Sequence, residues 1–443
     1  MADTRLQREL LRLARPLRGR EDLAPLVESV ADSEVVMLGE ATHGTKEFYE
    51  LRAEITRRLV ADHGFDFVAV EGDWPDSALI DRFVRDAPDP DERDAQNARD
   101  VLARLDRWPT WMWANEEVAV LVDWMRHFND LHAPDRQVRF HGLDIYSLYK
   151  SISAVIAYLE DVDAPIADEV RERYGCFELH SPDEIAYARS TLHFPRGCAT
   201  QAVQNLRALL EVDVPIGRPD GIELFSARQN ARVVRDADRY YRTMLHGNVD
   251  SWNIRDRHMM ETLELLLAGG AAGRKRAVVW AHNTHIGDYR ATDMASHGFL
   301  NLGGLARERL GRSAVSLVGF GTHSGRVVAS HAWDGPTESV DVPPARPGSY
   351  EFAMHEIADK LGSSDMYLVF DEQSRHGPLA AVADNRAIGV VYDPRHESRG
   401  NYVPTALADR YDAFVFVDRS AALRPLVTSA HRHELPETYP SGV

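Results

Sequence analysis

Four apolar runs in this chain end on groups that can titrate. "VVMLGEATHG" leaves its run at Glu40 and reaches His43 three residues on. "FVAVEGDW" ends on Glu71 and Asp73, with Trp74 next, and "VRFHGLD" carries His141 and Asp144. "VVWAHNTHIGD" brings His282, Asn283 and His285. A strand that only fills a core does not need such exits, and loops held by a rigid sheet commonly carry function. Taken singly, each residue has an ordinary structural explanation. A glutamate at a strand end caps a helix or makes an ion pair, and His141 reads as hydrogen-bonded support. Taken together, Glu40, His43, Glu71, His282 and His285 point to an active site. Asp73, Trp74, His141, Asp144 and Asn283 are then its substrate-binding surroundings.

The residue types define the chemistry. A neutral histidine held by a carboxylate is a good base for water near neutral pH. Arg52 lies on the segment after the first exit, flanked by the stripe Phe48, Leu51 and Ile55. That places it to face the strand exits and balance Glu40 or Glu71. An arginine and a second histidine can stabilise the oxyanion formed at an attacked ester carbonyl. Imidazole and carboxylate also suit zinc or manganese. The residues therefore leave two chemistries open: acid–base hydrolysis without a covalent nucleophile, or metal-assisted hydrolysis with Glu40, His282 and His285 as ligands. Other classes are disfavoured. There is no G-x-S-x-G elbow and no phosphate-binding loop. "GFGTHSG" is a poor dinucleotide fingerprint placed late in the chain, and "HEIAD" lacks the second histidine of a zincin.

Elements that could position these groups recur along the chain. Strands are expected at 34–39, 65–72, 138–144, 276–283, 314–321, 366–371, 387–392 and 413–418. Their continuous rather than alternating apolar character suggests cover on both faces. Helical stretches lie between most of them, the pattern of βα units. In 45–63, Phe48, Leu51, Ile55 and Leu59 fall on one face, with Glu47 in the first turn and Gly64 as the stop. Residues 147–253 show no strand periodicity and read as a helical insertion. The loops expected to be exposed are 86–100 and 336–348, and "GTHSGRVVASHAW" reads as a turn into an extra strand. The expected fold class is α/β: a three-layer α/β/α arrangement with a mostly parallel central sheet. The whole chain, 1–443, reads as one domain carrying the 147–253 insertion.

Charge and cysteine usage narrow the partners. Lys+Arg 51 against Asp+Glu 69 gives −18, which repels phosphate backbones and anionic lipid. A small-molecule substrate is expected, with no nucleic acid and no membrane. Cys176 and Cys198 have no metal or redox spacing and read as reduced thiols. The N-terminus lacks a signal-peptide core, so a cytoplasmic location is expected.

"LGEATHGTKEFYELR", "AVEGDWPDS", "FHGLDIYSLYKS", "NIRDRHM" and "VVWAHNTHIGD", followed by "AIGVVYDPRHESRGNYVPTALADRYDAFVFVD", resemble the erythromycin esterase family. The resemblance runs from about Glu34 to Leu426 and is nearest the family's broad, largely uncharacterised branch. It implies hydrolysis of the lactone ester of a macrolide or another bulky cyclic ester, without an obligatory metal or other cofactor. His43 would activate water, Glu40 and Glu71 would orient it, and Arg52 would hold the carboxylates. His282 and His285 would complete the cleft, and "WPTWMWANEEV" (108–118) could supply aromatic walls. A metal-dependent hydrolase, a non-catalytic binder of a large ligand such as haem, and a biosynthetic enzyme acting on a cyclic metabolite remain open readings.

Overall fold

Apolar runs with no polar face are satisfied only where both sides are covered, and the computed structural model places them there. It describes residues 4–87, 95–194, 196–211, 221–245, 247–269 and 274–426. The strands are β1 (Arg15–Pro16), β2 (Val35–Leu38), β3 (Phe67–Asp73), β4 (Arg139–Asp144), β5 (Ala277–Trp280) and β6 (Val315–Ala329). They continue with β7 (Glu338–Val342), β8 (Met366–Val369), β9 (Val382–Arg386), β10 (Tyr402–Ala406) and β11 (Ala413–Ser420). Among the described residues, nine strands form one sheet in the order β1-β8-β11-β6-β2-β5-β3-β4, with β7 paired to β6. The β10–β9 ladder is separate. The result is a mostly parallel sheet flanked by helices, as the apolar runs implied.

Two compact units divide the chain. The first takes the chain up to Ala69, then Ile80–Phe140 and the chain from Leu266 onward; the second takes Val70–Leu79 and His141–Leu265. In the first unit, β2 runs parallel to both β5 and β6, with Leu38 opposite Trp280 and Val318. Every residue of β2 and β5 is buried. The shared register brings the ends of these strands to one level, where the Gly39 N–H donates to the Val318 carbonyl at 2.8 Å. The loop after β2 passes so close to β6 that a Cβ on Gly44 would stand 1.9 Å from the Val328 carbonyl oxygen. Only glycine fits there. Helix Lys46–His63 follows and ends at Gly64, whose φ of 68° is the left-handed stop that glycine adopts without a Cβ clash.

In the second unit, helices Leu148–Val162, Ala164–Glu178, Glu184–Ser190, Ala199–Glu211 and Gly221–Met244 bury a common apolar cluster that includes Leu148, Val155, Phe177, Tyr187, Leu209 and Val234. The hydroxyl of Tyr187 donates to Asp238, which also takes Arg242 Nε at 2.9 Å. No helix among the described residues is long and apolar enough to cross a membrane.

Five expectations are corrected. "AIGVVY" (387–392) is not a strand; it makes isolated bridges, Ile388 to Thr42 and Val391 to Ser330. Residues 322–329 form no new strand but prolong β6, since β7 supplies an antiparallel partner with Val327 opposite Val340. That partner lies inside 336–348, expected as loop. Of 86–100, residues 88–94 lie outside the described residues, and Ala98–Leu102 is helical. Finally, Cys176 and Cys198 are joined by a disulfide, with Cα atoms 6.1 Å apart. Helices Ala164–Glu178 and Ala199–Glu211 pack together and bring the sulfurs into reach, so the cysteine pair gives no support to a reducing compartment.

Candidate active site

The loop after β2 holds Glu40 and His43 in the interior. Both are buried, as is Arg52 one turn into the following helix. His43 Nδ1 lies 2.9 Å from Glu40 Oε1, and Arg52 Nη2 donates to Glu40 Oε2 at 2.7 Å. Each carboxylate oxygen thus has one partner. The rest of the guanidinium meets ring faces: its carbon lies 4.4 Å from the Tyr49 centroid and 4.5 Å from that of Trp280. Cation–π attraction of this kind is worth about 2 kcal/mol when desolvated, offsetting donors that have no hydrogen-bond acceptor. Tyr49 also donates to the His43 carbonyl at 2.8 Å, so the same aromatic residue braces both the arginine and the histidine.

The end of β5 supplies the second histidine. His282 is buried with its ring centroid 4.8 Å from that of His43, the planes tilted by 35°. It caps the short helix Asn283–Ile286: its Nδ1 accepts the Thr284 N–H at 3.3 Å and lies 2.8 Å from the Thr284 hydroxyl. Asn283 is a clamp. Its N–H donates to the Glu40 carbonyl at 2.9 Å. Its amide donates to the Phe320 carbonyl at 2.6 Å and accepts the Phe320 N–H at 3.2 Å. Buried Arg410 holds both ends of the loop, with Nη2 donating to the Asn283 carbonyl at 3.0 Å and its own carbonyl accepting the Asp288 N–H at 3.0 Å. His285 is buried within the same turn. The first unit therefore brings together Glu40, His43, Arg52, His282 and Asn283, with His285 buried in the turn after His282.

The second unit gathers its own set. Glu71, Asp144 and Arg255 are all buried. Arg255 donates from Nε and Nη2 to the two oxygens of Asp144, at 2.9 and 2.7 Å, and from Nη2 to Glu71 Oε1 at 2.7 Å. Trp74 stacks on His141 with centroids 5.5 Å apart and planes within 6°, and its indole N–H donates to Ser226 Oγ at 3.1 Å. Asp73 is buried in this unit. The partner open to Arg52 from sequence was Glu40 or Glu71; it takes Glu40, and Glu71 belongs to Arg255. Reading the sequence did not single out Arg255. Its one signal was the segment "NIRDRHM", where an arginine follows an apolar position inside a helix.

Among the described residues, no group of three or more histidine, cysteine, aspartate or glutamate side chains is arranged to hold a metal ion. Glu40, a ligand in the metal-assisted reading, already has an oxygen on Arg52 and an oxygen on His43.

Comparison with known proteins relates the chain to a family. The sequence profile described as erythromycin esterase fits residues 60–420. The chain is similar to erythromycin esterase type II of Escherichia coli, at 23% identity over 339 residues, which cover 72% of this chain and 76% of that protein. In solved structures it is similar to a protein named for succinoglycan biosynthesis, with TM-score 0.75 and 18% identity over 96% of this chain and 98% of that one. It is also similar to a mutant of the erythromycin esterase EreC in its open conformation, with TM-score 0.64 and 15% identity over 93% and 96% of the two chains. At such identities the solved structures speak for the fold.

Proposed function

The chain belongs to the erythromycin esterase family, and on that premise we propose that it is an ester hydrolase acting on a macrolide lactone or another bulky cyclic ester through water activated by His43. The observation that carries this reading is the Glu40–His43–Arg52 arrangement. A carboxylate oxygen at 2.9 Å holds the proton on His43 Nδ1 and leaves the lone pair on Nε2. Nε2 takes a proton from water as the water oxygen bonds to the ester carbon. The carbonyl electron pair moves to its oxygen. When the tetrahedral species collapses, the carbon–alkoxide bond breaks and the imidazolium returns the proton to the leaving oxygen. Glu40 stabilises that imidazolium, as the aspartate does in a serine-protease triad, and Arg52 keeps Glu40 in place. No covalent intermediate and no metal enters these steps.

The test is mass spectrometry of a panel of macrolides and other lactones after incubation with EDTA-treated protein. The expected result is the gain of one water on at least one lactone, absent with His43→Ala. Hydrolysis that disappears with EDTA and returns with a single metal would replace this mechanism with the metal-assisted one. A panel that survives intact would remove macrolides and the other lactones tested from the substrate class.

A further inference from the structure

The two histidines of the first unit have opposite kinds of partner. His43 Nδ1 faces a carboxylate oxygen, which can only accept, so that nitrogen carries the proton. His282 Nδ1 faces the backbone N–H of Thr284 at 3.3 Å, which can only donate, so that nitrogen holds the lone pair. The proton of the neutral His282 ring therefore sits on Nε2. The Thr284 hydroxyl, 2.8 Å from the same Nδ1, must then be a donor as well. Two donors from one residue converge on one nitrogen, and Thr284 is buried, so water competes poorly for either bond.

We infer that Thr284 is a positioning residue that fixes His282 as the hydrogen-bond donor of the site, offering Nε2–H to the charge that develops on the attacked carbonyl oxygen rather than acting as a second base. The inference rests on the ester-hydrolysis reading for what His282 donates to, but the tautomer itself does not depend on that reading. Two identical bases with centroids 4.8 Å apart would compete for one proton. Opposite tautomers divide the work: His43 accepts the proton of water, and His282 gives a hydrogen bond without transferring its proton. A donor aimed where charge appears is among the largest single contributions to acyl-transfer catalysis. The wrong tautomer of a catalytic histidine is correspondingly damaging.

The experiment is long-range proton–nitrogen correlation NMR on histidine-labelled protein, above the titration of both rings. The two rings are assigned by signals lost in His43→Asn and His282→Asn. His282 is expected as the Nε2–H tautomer in the wild type and in Thr284→Ser, and as a tautomer mixture in Thr284→Val. On an ester that the wild type hydrolyses, Thr284→Val should lower kcat by about tenfold, the size of one lost hydrogen bond of about 1.4 kcal/mol, with KM little changed. A wild-type His282 protonated on Nδ1 would overturn the inference, as would Thr284→Val with wild-type tautomer and kcat. If no ester is hydrolysed by the wild type, the proposed function falls while the NMR result still decides the role of Thr284 on the ring. The wild-type spectrum carries that decision even if Thr284→Val does not fold.

Discussion

Two buried arginine–carboxylate clusters, one in each unit, use the same groups differently. In the first, Arg52 takes one oxygen of Glu40 and leaves the other to His43, while aromatic faces cover the rest of the guanidinium. In the second, Arg255 makes three hydrogen bonds to Asp144 and Glu71. Pairing satisfies charge in both. In the first, the second carboxylate oxygen orients a ring nitrogen, and a ring held that way is suited to act as a base. A third pair sharpens the contrast. His258 Nδ1 lies 2.7 Å from Asp236, but its Nε2 is 3.4 Å from the Thr262 hydroxyl, which receives the Gln229 amide at 2.7 Å. That ring ties helix Gly221–Met244 to helix Asn248–Ala268.

The largest expected effect breaks the first cluster at its base. His43→Ala should reduce kcat/KM by roughly 10²–10⁴ while the far-UV circular dichroism stays that of the wild type. Full activity in a folded mutant would remove His43 from the mechanism. Next, Arg52→Ala and Arg255→Ala should each lower unfolding stability by about 3–5 kcal/mol, because each leaves buried carboxylate charge uncompensated. Arg255→Ala belongs at the upper end, since Arg255 hydrogen-bonds two buried carboxylates. Denaturant midpoints of the two variants test this, and Arg52→Ala combined with Glu40→Gln should recover part of the loss. Midpoints within the range of ordinary surface substitutions would mean that neither cluster holds its unit together.

The smallest effect concerns a histidine whose ring neighbour is another histidine. His323 stacks on His355 with centroids 3.8 Å apart, and His355 Nδ1 lies 2.6 Å from Asp418. Burial, then the neighbouring His355, pushes His323 down to about 4 from an ordinary 6.5, with Asp418 opposing and Arg386 adding slightly. As pH falls, the unfolded chain therefore takes up this proton first. The contribution is present above about pH 6.5 and is lost progressively towards pH 4. On the order of 2–3 kcal/mol is at stake. Thermal unfolding followed from pH 7 to pH 4 should show the wild type losing more stability than His323→Gln, and parallel curves would show that His323 does not contribute.

Much of the site was legible because its signals are local. A helix of period 3.6 and a left-handed stop at Gly64 are written in a few adjacent residues, and Glu40 and His43 lie three positions apart at the end of one apolar run. What was not legible depends on residues far apart in the chain. Arg255 meets Glu71 across 184 positions, and nothing near either residue announces the other. The prolonged β6 exists because β7 offers it a register, while "AIGVVY" has the composition of a strand but forms isolated bridges instead. The sequence by itself determined which segments must be buried and which titratable groups stand at their ends, because burial and periodicity are properties of neighbouring residues. Only the tertiary structure decided that Arg52 takes Glu40, that Cys176 meets Cys198 and that Arg255 holds Glu71 and Asp144, because pairing follows from what separate segments bring within reach of one another.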